Sequence, residues 1–168
     1  MINTYNESEL HHSLKIMYCE QYNGKTEVKL HGHIYDILSD SGIVIEIQTK
    51  NLSKLLPKIL NTIEHGHKVI LVYPLVINKW IELYDENGSL ISKRKSPQTQ
   101  SIYNIFNELT GIYPVLLDKN FTLEVVETYI TEKRKRTPEP VQTINCRRRF
   151  KRNWIKTGKE LKEIICCG

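Results

Sequence analysis

Asp36 and Glu46 are the residues of this chain best placed to do chemistry. They lie on two short apolar segments joined by the turn Ser39–Gly42, where a core would favour no acid. Strand side chains alternate between two faces, so Glu46 and Gln48 are predicted to project to one side and the intervening isoleucines to the other. Neighbouring carboxylates repel unless a proton or a cation such as Mg²⁺ or Mn²⁺ lies between them. The pattern predicts a divalent-metal site; the alternative is a hairpin edge with ordinary solvated acids.

Length and composition indicate one domain of a cytoplasmic protein. A chain of 168 residues buries about two thirds of its unfolded surface. There is no apolar run of about eighteen residues or more, and the polar start lacks the basic and apolar regions of a secretory signal. The four cysteines form no Cys-x-x-Cys pair, so neither a zinc knuckle nor a disulfide framework is predicted.

Positive charge is concentrated near the C-terminus. Residues 1–131 contain 12 Lys and Arg against 15 Asp and Glu, whereas residues 132–168 contain 12 against 4. This asymmetry predicts that polyanions are attracted to one end of the molecule, by an interaction that weakens with salt.

Basic residues mixed with aromatic ones suggest where nucleic acid would bind. In the tail, cations surround Phe150 and Trp154, so ionic attraction and base stacking can act together. The alternatives are a membrane-surface or partner-binding segment, or an acidic patch on the protein's own body. A second basic run is predicted to be a loop that grips phosphates, or else an ordinary solvated loop. The predicted nucleic-acid-binding residues are Lys93, Arg94, Lys95, Arg147, Arg148, Arg149, Lys151, Arg152 and Trp154.

Hydrophobic periodicity predicts an α/β fold, a mixed sheet with helices on its faces. Helices are predicted over about 7–22, 52–65 and 101–109, and strands over 27–30, the Asp36 and Glu46 segments, 68–74, 79–84, 89–92 and 121–130. The strand–helix–strand order implies a right-handed parallel crossover, which places strand 68–74 beside the Glu46 strand. Pro138 and Pro140 are predicted to divide a core domain, residues 1–137, from a basic tail, residues 138–168, with a short helix over 154–165.

The histidines permit two interpretations. The pairs His31-Gly-His33 and His65-Gly-His67 suggest zinc, but no cysteine neighbours them at ligand spacing. Turns marked by the glycines are the favoured interpretation. On the first helix, His11 is either an active-site residue or an ordinary, partly buried histidine.

The order of these features resembles that of a known nuclease superfamily. This order resembles that of the PD-(D/E)XK, or restriction-endonuclease-like, superfamily. It consists of an acid on a first helix, then Asp36, and then Glu46-Ile47-Gln48 on the next strand. Over roughly residues 5–135 the chain more closely resembles a family of uncharacterised bacterial restriction-endonuclease-like proteins. The runs that carry this resemblance are Asn6–Lys15, Ile45–Thr49, Val72–Pro74, Lys79–Trp80 and Lys93–Pro97.

The resemblance implies a restriction-endonuclease-like mixed central sheet and specific residue roles. Glu7 matches the acid of the first helix, although a solvated first-turn glutamate is its alternative. Asp36 and Glu46 match the metal ligands, and Gln48 occupies the position usually held by a catalytic lysine and adds a ligand. Lys50 would supply the missing charge if the strand continued that far; otherwise it is a solvated lysine at a strand end.

The resemblance and the charge pattern together predict a nuclease that hydrolyses DNA phosphodiester bonds with Mg²⁺ or Mn²⁺. Its catalytic residues would be Glu7, Asp36, Glu46, Gln48 and Lys50. The expected partner is nucleic acid, with DNA favoured, and a homodimer is possible; no membrane is expected. The alternatives are a catalytically inactive nucleic-acid-binding module, or an adaptor of a DNA-processing or defence complex.

Overall fold

The computed structural model describes residues 9–141 and 151–166. Helix α1 covers Glu9–Gln21, α2 covers Leu56–Glu64 after a 3₁₀ turn at Leu52–Leu55, and α3 covers Phe106–Leu109 after a 3₁₀ turn at Ile102–Ile105; a further 3₁₀ turn covers Tyr113–Val115. The strands are β1 (Gly24–Leu30), β2 (His33–Ser39), β3 (Val44–Ile47), β4 (Val69–Tyr84), β5 (Leu90–Lys95), β6 (Phe121–Val141) and β7 (Arg152–Cys166).

The described strands form one mixed seven-stranded sheet. Its order is β1-β2-β3-β4-β6-β7, and β5 pairs with β4. The β3–β4 and β4–β6 pairs are parallel, whereas the remaining pairs are antiparallel. Glu46 lies opposite Leu71 of β4, so the predicted parallel crossover beside the Glu46 strand is confirmed.

Apolar side chains of alternating strand residues build a core on each face of the sheet. On one face Ile45 and Ile47 pack with Leu10 and Leu14 of α1. On the other face Val44 packs with Ile59 of α2. The predicted α/β class, with helices on both faces, is therefore confirmed. Among the described residues no helix is long and apolar enough to cross a bilayer.

The predicted short helix over residues 154–165 is wrong, because this segment belongs to β7. Strand β6 continues through the predicted boundary at residues 137 and 138, and β7 pairs along it. Pro138 and Pro140 are tolerated because the β6–β7 pairing is interrupted between Arg136 and Val141, where no ladder N–H is required. Pairing satisfies the exposed backbone groups at the edge of β6, and this outweighs the weak helical pattern.

The predicted basic loop at Lys93, Arg94 and Lys95 is also wrong, because these residues form the end of β5. All three are exposed on a strand that pairs antiparallel with the second half of β4. Strand β4 itself runs without a break through the two segments that were predicted as separate strands, 68–74 and 79–84.

Candidate functional site

The candidate site lies where β2 and β3 separate. The two strands pair through Ile37–Ile45 and Leu38–Val44. At the next position the side chains replace the backbone acceptors: the N–H of Asp36 donates to Glu46 Oε1 at 3.1 Å, and the N–H of Ile47 donates to Asp36 Oδ2 at 3.0 Å. The predicted pair of carboxylates therefore meets in the gap between the two strands, where each accepts a backbone N–H of the other strand. Asp36 faces α1 on one side of the sheet, and Glu46 faces α2 on the other.

Helix α1 supplies positively charged and polar partners for Asp36. His11 Nε2 lies 3.3 Å from Asp36 Oδ2 and 2.9 Å from the Ile47 carbonyl oxygen. Because both neighbours are acceptors, Nε2 carries the proton. Lys15 Nζ lies 3.7 Å from Asp36 Oδ1 and 3.5 Å from Glu27 Oε1. Burial tends to raise the pKa of Asp36, but the hydrogen bonds from His11 and Ile47 and the charge of Lys15 outweigh it and hold that pKa below its usual value.

Helix α2 supplies the cation that faces Glu46. The Glu46 side chain is buried, and Lys58 Nζ lies 2.7 Å from its Oε1. The same amine donates to the Ile34 carbonyl oxygen at 2.6 Å and lies 4.5 Å from the centre of the Tyr35 ring. Burial and the nearby charge of Asp36 raise the pKa of Glu46, and Lys58 only partly opposes them.

The two carboxyl groups therefore differ in their affinity for a proton, although they are neighbours. The pKa of Asp36 is lowered and that of Glu46 is raised. Pairs of titratable groups whose environments push their pKa values apart are characteristic of sites that transfer protons.

The structure does not place the other three predicted catalytic residues, Gln48, Lys50 and Glu7, beside the carboxylate pair. Gln48 and Lys50 follow the end of β3, and Glu7 is not among the described residues. Strand β3 ends at Ile47, and the Gln48 amide donates to the Lys50 carbonyl oxygen at 2.7 Å. Lys50 is exposed in the bend after the strand, so the condition for its predicted position, a continuing strand, is not met.

Lys15 and Lys58 are the site residues that sequence reasoning missed. His11 and Lys15 are four residues apart on α1, which places them on one helix face. This spacing is a signal that the sequence contained. Lys58 carried no such signal, because its contact with Glu46 depends on how α2 packs after the crossover.

Asp36 and Glu46 offer carboxylate oxygens, the ligand atoms that a hard divalent ion prefers. Mg²⁺ is held in proteins by one or two carboxylates together with water and substrate phosphate, and Asp36 and Glu46 provide two. An ion there would compete with Lys58 for Glu46. Within residues 9–141 and 151–166, no group of three or more His, Cys, Asp and Glu side chains is arranged to hold a metal.

Trp154, the aromatic residue in the described part of the basic tail, is already covered by two arginines of the protein. Arg134 and Arg152 lie over the Trp154 ring, with guanidinium carbons 3.7 and 4.9 Å from its centre. Stacking a base on Trp154 would require one of them to move. Lys151 precedes β7 and is exposed, whereas Arg147, Arg148 and Arg149 lie outside the described residues.

On β5, Lys93 pairs with Glu82 at 3.0 Å.

A buried carboxylate joins the tail to the body of the sheet. The Glu132 side chain is fully buried, and Lys79 and Lys156 each place Nζ 2.9 Å from its Oε2. Arg134 Nη2 lies 2.6 Å from Oε1. Oε2 has no partner at hydrogen-bonding angles, so its two lysine contacts are ionic.

More lysines gather around Glu132 than it can neutralise. Burial lowers the pKa of Lys159, and the charges of Lys156, Lys79 and Lys50 lower it further, whereas Glu132 opposes them. We call Lys50, Lys79, Lys156 and Lys159 the lysine cluster. Its surplus charge would be relieved by a bound anion.

A model of a protein family covers nearly all of the chain. The family is described as Domain of unknown function (DUF8091), and its model matches residues 8–166. The chain belongs to this family. A protein of Treponema pallidum (strain Nichols), titled "Uncharacterized protein", is 33% identical over 125 residues, which are 74% of this chain and 49% of the relative. The chain thus spans about half the length of this relative. No solved structure matches this chain.

The DUF8091 match includes both α1 and β7, which are in contact. The Glu9 carboxylate lies over Gly158 of β7, where an added Cβ would be 3.1 Å from both of its oxygens. Helix α1 also carries His11, which contacts Asp36. Helix α1 therefore contacts both Asp36 and the strand that carries Lys156 and Lys159.

Proposed function

We propose that this DUF8091 chain is a metal-dependent nuclease of the restriction-endonuclease-like fold that hydrolyses DNA phosphodiester bonds. The observation that carries the proposal is the reciprocal placement of Asp36 and Glu46, each bonded to a backbone N–H across the gap between β2 and β3. These are the acids that the superfamily resemblance assigns to the metal.

In this proposal Asp36 and Glu46 hold Mg²⁺ or Mn²⁺. When bound, the ion would activate water and stabilise negative charge on the phosphate. Ionised Asp36 is kept in place by the protonated Nε2 of His11 and by the Ile47 N–H. Release of its proton by Glu46 is aided by the positive charge of Lys58.

Lys58 takes the role that Gln48 cannot perform in this proposal. A lysine at position 48 would offset charge at the phosphate, whereas a glutamine amide is neutral. Lys58 places a cation 2.7 Å from Glu46 from a different element, α2. If Glu46 held an ion, the Lys58 amine would be able to contact the substrate phosphate.

The lysine cluster supports the choice of a polyanionic substrate. Two of its lysines, Lys79 and Lys156, contact a single buried acid, which also pairs with Arg134. The charges of Lys156, Lys79 and Lys50 lower the pKa of the fourth lysine, Lys159. Phosphates of a nucleic acid are anions that would replace the counterions of such a surface.

The second candidate is an inactive nucleic-acid-binding module or an adaptor. Two observations favour it: Gln48 replaces the lysine and points its amide at Lys50, and Glu46 already has a cationic partner in Lys58. Such a protein would retain the lysine cluster and bind DNA without cutting it.

The proposal is tested by incubating the full chain with plasmid, linear and single-stranded DNA in Mg²⁺, in Mn²⁺ and in excess chelator. Cutting that requires the added ion is expected. Binding without cutting would favour the inactive module, and cutting that persists in chelator would overturn the metal-dependent mechanism.

Replacing Lys58 by methionine is expected to lower the cleavage rate about 100-fold, the usual effect of losing one group that stabilises transition-state charge. Methionine keeps the apolar stem and removes the amine. Lys54→Met is the matched control, because Lys54 is exposed in the turn before α2. Equal rates for the two variants, measured on plasmid, would refute the role of Lys58.

A further inference from the structure

Three histidines from two separate turns meet at the surface of the molecule. His31 lies in the turn between β1 and β2, and His65 and His67 lie in the loop between α2 and β4. His31 Nε2 is 3.4 Å from His67 Nε2. The His31 ring also stacks on His65, with ring centres 3.9 Å apart. Neither ring pair follows from sequence proximity, because His31 and His67 are 36 residues apart.

Backbone carbonyl groups fix the tautomers of two of these rings. His67 Nδ1 lies 3.0 Å from the Gly42 carbonyl oxygen, and His65 Nδ1 lies 2.7 Å from that of Asn61. A carbonyl oxygen only accepts, so each Nδ1 carries the proton and each neutral ring keeps its lone pair on Nε2. Metal-binding histidines are typically anchored in this way through the second ring nitrogen.

The separation of the two Nε2 atoms matches that of two ligands on one ion. Zinc–nitrogen bonds of about 2.0–2.1 Å at a tetrahedral angle place two nitrogens about 3.3–3.4 Å apart. The neutral ring is the form that ligates. Desolvation and the charges of His65 and His67 lower the pKa of His31, which favours that form.

A two-residue hairpin turn presents the His31 ring. His31 has a φ of 47° and Gly32 has a φ of 79°, and positive φ at both central residues is what a type I′ hairpin turn requires. The turn places the His31 ring against His65 and His67 of the α2–β4 loop.

We propose that His31 and His67 form a binding site for a borderline transition-metal ion, of which Zn²⁺ is the expected example. The ion takes the place between the two Nε2 atoms, and His31 then carries its proton on Nδ1. Water fills the remaining coordination positions. His65 supports the His31 ring by stacking. The site is separate from the carboxylate pair, since imidazole suits Zn²⁺, Ni²⁺ and Cu²⁺, whereas Mg²⁺ prefers oxygen ligands.

Calorimetric titration of the untagged full chain with Zn²⁺ tests the proposal. The variants are His31→Asn, chosen because asparagine tolerates the left-handed backbone, and His67→Gln. Each is expected to weaken binding of one equivalent of Zn²⁺ at least about tenfold, by analogy with the loss seen when metal-site partners are removed. His33→Ala is the matched control: His33 lies on the same hairpin, with its ring edge toward Tyr35.

Metal-free thermal unfolding of each variant establishes that it is folded. The electron paramagnetic resonance spectrum of Cu²⁺ bound to the wild-type chain is expected to show hyperfine coupling to two imidazole nitrogens. In each histidine variant, coupling to one imidazole nitrogen is expected. Retention of Zn²⁺ by Asp36→Asn,Glu46→Gln would separate this site from the proposed nuclease site. Wild-type affinity in both histidine variants, or an equal loss in His33→Ala, would overturn the proposal.

Discussion

The rate of plasmid cleavage is expected to fall at least about 10³-fold when Asp36→Asn and Glu46→Gln are combined. Both substitutions keep the size of the side chain and an oxygen that can accept the N–H of Ile47 or of Asp36. What they remove is the negative charge that would hold the ion. Ion stabilisation of transition-state charge is worth several kcal/mol, and about 4 kcal/mol corresponds to this factor.

The matched control is the double variant Asp40→Asn,Glu64→Gln. Asp40 is exposed in the turn after β2, and Glu64 is exposed at the end of α2, so the same two charges are removed outside the site. This control should cut at the wild-type rate. Equal cutting by the two double variants would refute the carboxylate pair as the catalytic centre. If the wild-type protein bound DNA but did not cut it, the inactive nucleic-acid-binding module would be favoured instead.

Local periodicity was enough to find the carboxylates but not the cations that face them. Asp36 and Glu46 lie on adjacent strands joined by a short turn, so chain order brings them close together. Strand alternation alone did not predict that Asp36 would face α1 and Glu46 would face α2 on the other side of the sheet. Lys58 reaches Glu46 only because α2 crosses back over the sheet. The packing angle of that helix is a tertiary property, and no spacing in the sequence encodes it.

The tail shows how sheet pairing can override a local pattern. The apolar residues of segment 154–165 have a spacing that favours a weak helix, yet the free edge of β6 offers a long row of unpaired backbone groups. Satisfying those groups is worth more than a short helix, because an isolated helix of that length is marginal in water. Glu132 is buried as a consequence, since β7 brings Lys156 to it from the far end of the chain.

The histidine turns illustrate the same limit. The glycines at 32 and 66 do mark turns, as predicted, with φ values of 79° and 83°. That the two turns touch depends on how the β1–β2 hairpin and α2 pack on the sheet, which no spacing in the sequence encodes. The hairpin keeps one register from end to end, with only the Glu27–Asp36 pair missing.

Glu132→Gln is expected to lower the free energy of unfolding at pH 7 by about 3 kcal/mol. Glutamine preserves the shape, but it leaves Lys79, Lys156 and Arg134 crowded around a neutral group. Breaking a buried ion pair by removing one partner costs about 3–5 kcal/mol, and the lower end applies because Lys156 is half exposed. Urea unfolding of the two proteins measures the difference.

The difference between the wild type and Glu132→Gln should depend on pH. Burial tends to raise the pKa of Glu132, but Lys156, Lys79 and Arg134 outweigh it and lower the pKa from 4.5 to about 2. The folded state therefore binds this proton more weakly than the unfolded chain. The stabilising contribution is fully present above about pH 4.5 and is lost as the pH falls toward 2, so the two unfolding curves should converge in that range.

Glu160→Gln provides the control that separates burial from pairing. Hydrogen bonds from Lys162 and Lys133 lower the pKa of Glu160 to about 2 as well, but its side chain is 40% exposed, whereas that of Glu132 is fully buried. Solvent screens an exposed pair, and such pairs add little stability. A much smaller loss is therefore expected for Glu160→Gln. If both variants lost the same stability, or if the Glu132→Gln difference persisted unchanged at pH 2, charge burial at Glu132 would not be what ties β7 to the sheet.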